Sequence, residues 1–91
     1  MLSLEYSAQF KRDFRKVTKL AIPDILEVGN IISKLKRGET LPLKNVDHAL
    51  SGNWLGFRDC HIKPDLILIY RISDNTLQLA RIGSHSEVFK S

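Results

Sequence analysis

The chain has 91 residues, an apolar fraction of 43%, a charged fraction of 26% and a formal net charge of +4. This length suits one compact domain over residues 1–91, and no apolar run approaches the roughly 20 residues that a membrane-spanning helix needs. Cys60 is the single cysteine, which excludes an intrachain disulfide, and we expect it to be buried. The first residues lack the pattern of a signal peptide, so we expect a cytoplasmic protein without a membrane partner.

The first half of the chain predicts a short strand followed by two helices. Leu2, Leu4 and Tyr6 alternate with polar residues, and Ser7 suits the N-cap of a helix. Apolar residues then recur at helical spacing, at Phe10, Phe14, Val17 and Ala21 and again at Ile25, Val28, Ile32 and Leu35. We therefore expect a helical hairpin whose second helix stops near Gly38.

The second half of the chain predicts a loop and three strands. Residues 38–53 are rich in Gly, Asn and Ser and are expected to form a long loop. Strands are predicted over 54–61, 66–72 and 76–82, with turn residues between them. Short turns join antiparallel neighbours, so we expect an α+β fold of order β-α-α-β-β-β, with an antiparallel sheet packed against the two N-terminal helices.

The excess of positive charge lies in the first half of the chain. Residues 1–45 hold nine Lys or Arg and five Asp or Glu, whereas residues 46–91 hold five of each. The first predicted helix carries Lys11, Arg12, Arg15 and Lys16. A basic stripe of this kind indicates either a polyanionic partner such as nucleic acid or an ordinary solvated helix face, and the charge pattern leaves both open.

The residues able to do acid–base chemistry lie in the second half and include all three histidines, His48, His61 and His85. In an antiparallel meander, His61 and Asp65 flank one turn, and the last strand returns to the same edge of the sheet. We therefore expect Arg81 and His85 to approach them. The loop that carries His48 starts from the opposite edge, and topology alone does not bring it to the site.

This set of residues suits metal-free cleavage of RNA. A base must remove the proton of the ribose 2′-OH, an acid must protonate the departing 5′-oxygen, and a cation must stabilise the phosphoryl oxygens. Histidine serves as either acid or base near neutral pH, Asp65 or Asp59 can orient an imidazole or act as the base, and Arg81 can bind phosphate bidentately. A zinc-dependent hydrolase is an alternative, although the histidine spacing matches no compact ligand motif.

Several segments also resemble one protein family. They read LPL at 41–43, DHALSGNW at 47–54, GFRDCH at 56–61, PDLILIY at 64–70 and RIGSH at 81–85, with EYS at 5–7 ahead of the first helix. In this order they resemble the YafQ-type toxins of the RelE/ParE superfamily of bacterial toxin–antitoxin systems. The similarity covers nearly the whole chain and is most specific between Leu41 and His85.

The resemblance implies a RelE-like fold and a ribosome-dependent endonuclease that cuts mRNA in the A site of the 30S subunit and so inhibits translation. It implies catalytic roles for His48, His61, Asp65, Arg81 and His85, and substrate-binding roles for Asp59, Phe89 and, as a class contacting ribosomal RNA, Lys11, Arg12, Arg15 and Lys16. It implies no cofactor. Superfamily members that poison DNA gyrase without cutting RNA leave a non-catalytic toxin as the alternative.

The resemblance also implies a protein partner. This is a cognate antitoxin of the DinJ/RelB type, acidic and DNA-binding, which neutralises the toxin. Contact with operator DNA is then expected only through the antitoxin complex. Charge complementarity predicts that an acidic segment of the antitoxin covers the basic face of the first helix.

Overall fold

The computed structural model describes residues 1–89, so Lys90 and Ser91, at the end of the predicted domain, lie outside the described residues. The elements in chain order are β1 Ser3–Tyr6, α1 Ala8–Val17, α2 Ile22–Lys36, β2 His48–Ala49, β3 Arg58–Lys63, β4 Leu66–Ser73, β5 Thr76–Gly83 and α3 His85–Val88. Short 3-10 helices at Leu43–Asn45 and Gly52–Trp54 flank β2. Within residues 1–89, no helix has the length and apolar character needed to cross a membrane.

The strands form one five-stranded sheet in the order β1-β5-β4-β3-β2. Strands β2 to β5 pair antiparallel, whereas β1 pairs parallel with β5. The α+β class and the predicted meander are confirmed, but the sheet is mixed rather than wholly antiparallel. No tight turn joins β1 to β5, because the helical hairpin and the other strands lie between them in the chain, and so no hairpin dictates the direction of β1.

Helix α1 begins where the sequence predicts but ends early. The hydroxyl of Ser7 accepts the backbone N–H of Phe10 at 2.9 Å and so caps α1. Helix α1 ends at Val17, where the hydroxyl of Thr18 donates to the carbonyl of Arg15 at 2.7 Å and competes with the helical pattern. Ala21, predicted on the apolar face of α1, instead occupies the N-cap position of α2.

Different elements pack against the two faces of the sheet. Helices α1 and α2 pack on one face against buried side chains that include Cys60, Leu68, Tyr70, Leu77 and Leu79. Because side chains alternate along a strand, Ile67 and Ile69 point to the opposite face. There they pack with Val88 of α3 and with Leu50, Trp54, Phe57 and Ala80. We call these the helix side and the loop side of the sheet.

The β4–β5 hairpin has a tight turn and an irregular middle. Asp74 and Asn75 both have positive φ, 50° and 60°, as a type I′ hairpin turn requires, which confirms the predicted turn. Further along, Ile69 pairs with Arg81 but the next residue of β4 pairs with Leu79, so that β5 carries one extra residue, as in a β-bulge. The bulge lies directly before the end of β5 and the start of α3.

Candidate active site

The three histidines form a row on the loop side of the sheet. His48 of β2 is paired with Asp59 of β3, His61 is paired with Ile67 of β4, and His85 begins α3. The ring centroids are 6.5 Å apart for His48 and His61 and 5.1 Å apart for His61 and His85. The structure therefore brings His61 and His85 together as topology predicts. His48 joins them through β2, a strand that the sequence does not predict.

His85 is held by the carboxylate of Asp65. Its Nδ1 lies 2.9 Å from Asp65 Oδ1, and its backbone N–H donates to the same oxygen at 3.0 Å. These two hydrogen bonds, the backbone one foremost, lower the pKa of Asp65. Ser84 and Glu87 form a capping box that fixes the start of α3. His85 is thus fixed in orientation while half of its side chain stays exposed.

His48 is held by a backbone carbonyl and faces a buried carboxylate. Its Nδ1 lies 2.8 Å from the carbonyl oxygen of Val46 and 3.0 Å from Asp59 Oδ1. A carbonyl oxygen only accepts, so Nδ1 carries a proton, and Nε2 is the free nitrogen of the neutral ring. Asp59 Oδ1 lies 3.0 Å from Nδ1 but has no well-aligned hydrogen bond within residues 1–89. Burial raises the pKa of Asp59, and the nearby histidines only partly oppose this.

The row therefore consists of two histidine–aspartate pairs with a third imidazole between them. Asp59 with His48 stands at one end, Asp65 with His85 at the other, and His61 in the middle. Beyond His85, the ring centroid of Phe89 lies 6.3 Å away, and this side chain is 38% exposed. The arrangement places one imidazole able to accept or donate a proton on each side of the central His61, with the aromatic ring of Phe89 beyond one end.

Arg81 makes its polar contacts with α1. Its Nε and Nη2 donate to the two carboxylate oxygens of Asp13 at 2.9 and 3.0 Å, and Asp13 also accepts the backbone N–H of Ile82 at 3.2 Å. Helix α1 occupies this position because β1 ends at Tyr6, so the far half of β5 has no neighbouring strand there. Arg81 and Asp65 line one cavity of about 360 Å³. Phosphate binding by Arg81 stays a prediction.

Comparison with known proteins identifies the family. A family model described as a bacterial toxin of type II toxin–antitoxin systems, YafQ, matches residues 2–90. The chain belongs to the YafQ family. The mRNA interferase toxin YafQ of Escherichia coli K12 is 39% identical over 88 residues, which are 94% of each chain. The resemblance predicted from the sequence is confirmed, and the predicted enzyme class is the one that this relative's name gives.

Solved structures of bacterial toxins share the fold. A metal-bound toxin from Helicobacter pylori is 41% identical with a TM-score of 0.88, covering 98% of this chain and 100% of that one. The toxin chain in the E. coli DinJ–YafQ complex is 34% identical with a TM-score of 0.86, covering 98% of this chain and 99% of that one. The predicted RelE-like architecture is therefore confirmed.

The basic residues of this YafQ-family chain are exposed along α1. Lys16 reaches α3, where its Nζ lies 2.8 Å from Glu87 Oε2, a contact that with the Ser84 hydrogen bonds lowers the pKa of Glu87 to about 2. Lys11 instead lines a groove with Tyr6 and Phe14. The roles predicted for Lys11, Arg12, Arg15 and Lys16 stay predictions.

Sequence reasoning missed Asp13, although the sequence carries a signal for it. Asp13 is spaced three residues from Phe10 and four from Val17, so it belongs to the buried stripe of α1. A carboxylate on an apolar stripe requires a partner, because an unpaired charge is costly to bury. What the sequence does not contain is the identity of that partner, since Arg81 lies far along the chain and its orientation depends on the bulge in β5.

We predict that Asp13→Ala and Arg81→Ala each lower the free energy of unfolding by about 2 kcal/mol, because each leaves a charged partner without its hydrogen bonds. The double variant should lower the free energy of unfolding by little more than either single variant.

The same pair makes stability depend on pH. Burial acts to raise the pKa of Asp13, but hydrogen bonds from Arg81, Gln9 and Ile82 outweigh it and lower the pKa. The stabilisation is therefore present above the unfolded value of 3.8 and is lost as pH falls through the lowered pKa. Additive losses in urea unfolding would contradict the pairing.

Proposed function

We propose that this chain is a ribosome-dependent endoribonuclease that cuts mRNA in the decoding A site and so inhibits translation in the cytoplasm. The observation that carries the proposal is the histidine row with its two aspartate partners. In the reaction, the ribose 2′-oxygen attacks the adjacent phosphorus, the bond to the 5′-oxygen breaks, and a cyclic phosphate is left. Each step moves one proton, and the row supplies a group for each.

His48 is the general base in this proposal and His85 the general acid. The free Nε2 of neutral His48 can take the proton of the 2′-OH, and the buried Asp59 beside it balances the resulting charge. The lowered pKa of Asp65 keeps that carboxylate ionised, and its contact with Nδ1 orients His85 so that Nε2 can donate a proton to the leaving 5′-oxygen. His61, between the two rings, is placed to donate to the charged phosphoryl oxygens.

The remaining predicted residues bind rather than transfer protons. Phe89 at the end of the row can stack on a base, since base–aromatic stacking contributes roughly 1–3 kcal/mol. Arg81 can contact phosphate from the cavity that it shares with Asp65, in competition with its present partner Asp13. The exposed Lys11, Arg12, Arg15 and Lys16 contact ribosomal RNA phosphates, an interaction that weakens as salt concentration rises.

The proposed inhibitor is a co-expressed antitoxin of the DinJ/RelB type, acidic and DNA-binding, which also links the toxin to operator DNA. The E. coli relative forms a complex with DinJ, and the overall fold of the toxin in that complex is shared by this chain. The basic, exposed side of α1 favours an acidic antitoxin segment. The affinity of the complex is then expected to fall with increasing salt concentration.

Primer extension on mRNA from cells induced to make the toxin tests the function. We expect new 5′ ends at ribosome-bound codons in cells with the natural chain, and none in cells that make the triple variant His61→Ala, Asp65→Ala, His85→Ala. Intact transcripts together with DNA damage would instead favour the gyrase-poisoning alternative. Cleavage that persists in the triple variant would show that the histidine row is not the active site.

Treatment with EDTA separates the proposal from a metal-dependent hydrolase. The two histidine–aspartate pairs already supply an acid and a base, so cleavage should survive EDTA once magnesium is restored to keep the ribosomes intact. Within residues 1–89, no group of three or more His, Cys, Asp or Glu side chains has the geometry of a metal site. Loss of cleavage that returns only with zinc or copper would overturn this part of the proposal.

A further inference from the structure

A second polar cluster lies on the helix side of the sheet, behind the histidine row. The carboxylate of Asp47 accepts the hydroxyl of Tyr70 at 2.7 Å on Oδ1 and 2.8 Å on Oδ2, and it accepts Nε of Arg58 at 3.1 Å. Tyr70 is only 1% exposed and belongs to the helix-side core. Burial, with Asp47 nearby, raises the pKa of Tyr70, so this hydroxyl remains a donor. The proposed proton transfers use none of these three residues.

The cluster is coupled to the row through the backbone, because Asp47 directly precedes His48. Consecutive side chains of an extended chain point to opposite faces. With Asp47 anchored on the helix side, His48 is turned to the loop side, where it pairs across the strands with Asp59. Strand β2 is only two residues long, so its own ladder gives little hold on the direction of His48.

The residue before Asp47 shows that the loop needs an anchor. Val46 has φ 47° and ψ 47°, a left-handed conformation that is unfavourable for a β-branched residue. Val46 lies between two residues that are held by hydrogen bonds. On one side is Asp47, bound to Tyr70, and on the other is Asn45, whose side-chain Nδ2 donates to the backbone carbonyl of His61 at 2.7 Å. The strained backbone aims the carbonyl of Val46 at Nδ1 of His48, 2.8 Å away.

We propose that Asp47, held by Tyr70 and Arg58, is a positioning residue that sets the ring orientation and the Nδ1–H tautomer of His48. The inference rests on the proposed function, in which the free Nε2 of His48 takes the proton of the ribose 2′-OH. The hydrogen bond at one ring nitrogen decides which nitrogen is free for chemistry. Without the anchor, Val46 can relax and the bond to His48 Nδ1 is lost.

Single-turnover cleavage of ribosome-bound mRNA tests the kinetic consequence. We expect Asp47→Ala and Tyr70→Phe to lower the cleavage rate about 10- to 100-fold, as loss of an orienting partner commonly does. Substrate affinity should stay within about twofold, since neither residue belongs to the histidine row on which the proposed substrate lies. Asp47→Asn should retain most of the rate, because its amide oxygen still accepts the Tyr70 hydroxyl. Glu39→Ala is the matched control, since it removes a carboxylate paired with Arg37 after α2.

The ¹⁵N shifts of the His48 ring test the tautomer directly. We expect the Nδ1–H form in the natural chain and in Asp47→Asn. In Asp47→Ala and Tyr70→Phe, we expect a shift toward the Nε2–H form, which is the form that free histidine favours. A network that only stabilises the fold would lower the unfolding temperature without moving these signals. Unchanged nitrogen shifts together with an unchanged cleavage rate in Tyr70→Phe, which keeps the core packing, would overturn the proposal even if Asp47→Ala failed to fold.

The His48→Ala background separates this inference from the function on which it rests. We expect His48→Ala to be impaired and the added Asp47→Ala to change nothing further, because its effect passes through the missing ring. If the second substitution lowers cleavage again by the same factor, the function stands and the positioning role is overturned. If His48→Ala cleaves like the natural chain, the proposed base is wrong, whereas the nitrogen shifts still decide whether Asp47 sets the tautomer.

Discussion

His85→Ala is expected to lower the rate of mRNA cleavage by about two to four orders of magnitude, the usual cost of losing a general acid or base. The alkoxide that leaves when the 5′-oxygen departs is a poor leaving group unless it is protonated. His85 is the imidazole whose Nδ1 is held by Asp65, 2.9 Å away, which leaves its other nitrogen for the substrate. Single-turnover cleavage on programmed ribosomes measures the loss.

The same substitution should leave the free energy of unfolding within about 0.5 kcal/mol, because the side chain of His85 is 51% exposed and fills no core position. Asp65→Ala should have a smaller effect on cleavage, about 10- to 100-fold, because Asp65 acts through His85. Ser86→Ala is the matched control, an exposed neighbour on the same helix. A His85→Ala variant that cuts at the natural rate would remove His85 from the mechanism.

The parts of the fold that the sequence predicts are those with a local cause. The alternating and helical spacing of apolar residues predicts the meander and the helices. Ser7 caps α1 as predicted, and the predicted turn at Asp74–Asn75 has the positive φ values of a tight hairpin. Strand β2 was missed because two residues carry no periodicity. Its pairing with β3 exists only because the loop around it is anchored to Tyr70 and to the backbone of His61.

The candidate site also contains residues whose placement the sequence predicts and residues whose placement it does not. His61, Asp65 and His85 come together because short turns and strand lengths fix them, so topology was sufficient. The contact between His48 and Asp59 depends on β2 and on the strained Val46, neither of which has a sequence pattern. The orientation of Arg81 depends on one extra residue in β5. Side-chain direction at a bulge reverses with a single-residue shift, and composition does not reveal that shift.

Asp59→Asn is expected to change activity and stability in opposite directions. Cleavage should fall about 10- to 100-fold, because the amide cannot balance the charge that His48 acquires when it takes the 2′-OH proton. The free energy of unfolding should rise by about 1 kcal/mol, a gain of the size often seen when a functional group ceases to strain the fold. The reason is that Asp59 is 2% exposed and its Oδ1 lacks an aligned donor within residues 1–89.

The pH dependence of the gain follows from the pKa of Asp59, which burial raises above its usual value of 3.8. Between that value and the raised pKa, the folded chain holds a proton that the unfolded chain has released, so stability from this group falls as pH rises. Urea unfolding of both chains between about pH 4 and pH 7 should therefore show an advantage of Asp59→Asn that grows with pH and then levels off. Asp74→Asn, at an exposed turn position where asparagine tolerates positive φ, should show no such trend. If Asp59→Asn instead lost stability as pH rose, the carboxylate would be stabilising the fold through His48, and the ion pair would outweigh the cost of burial.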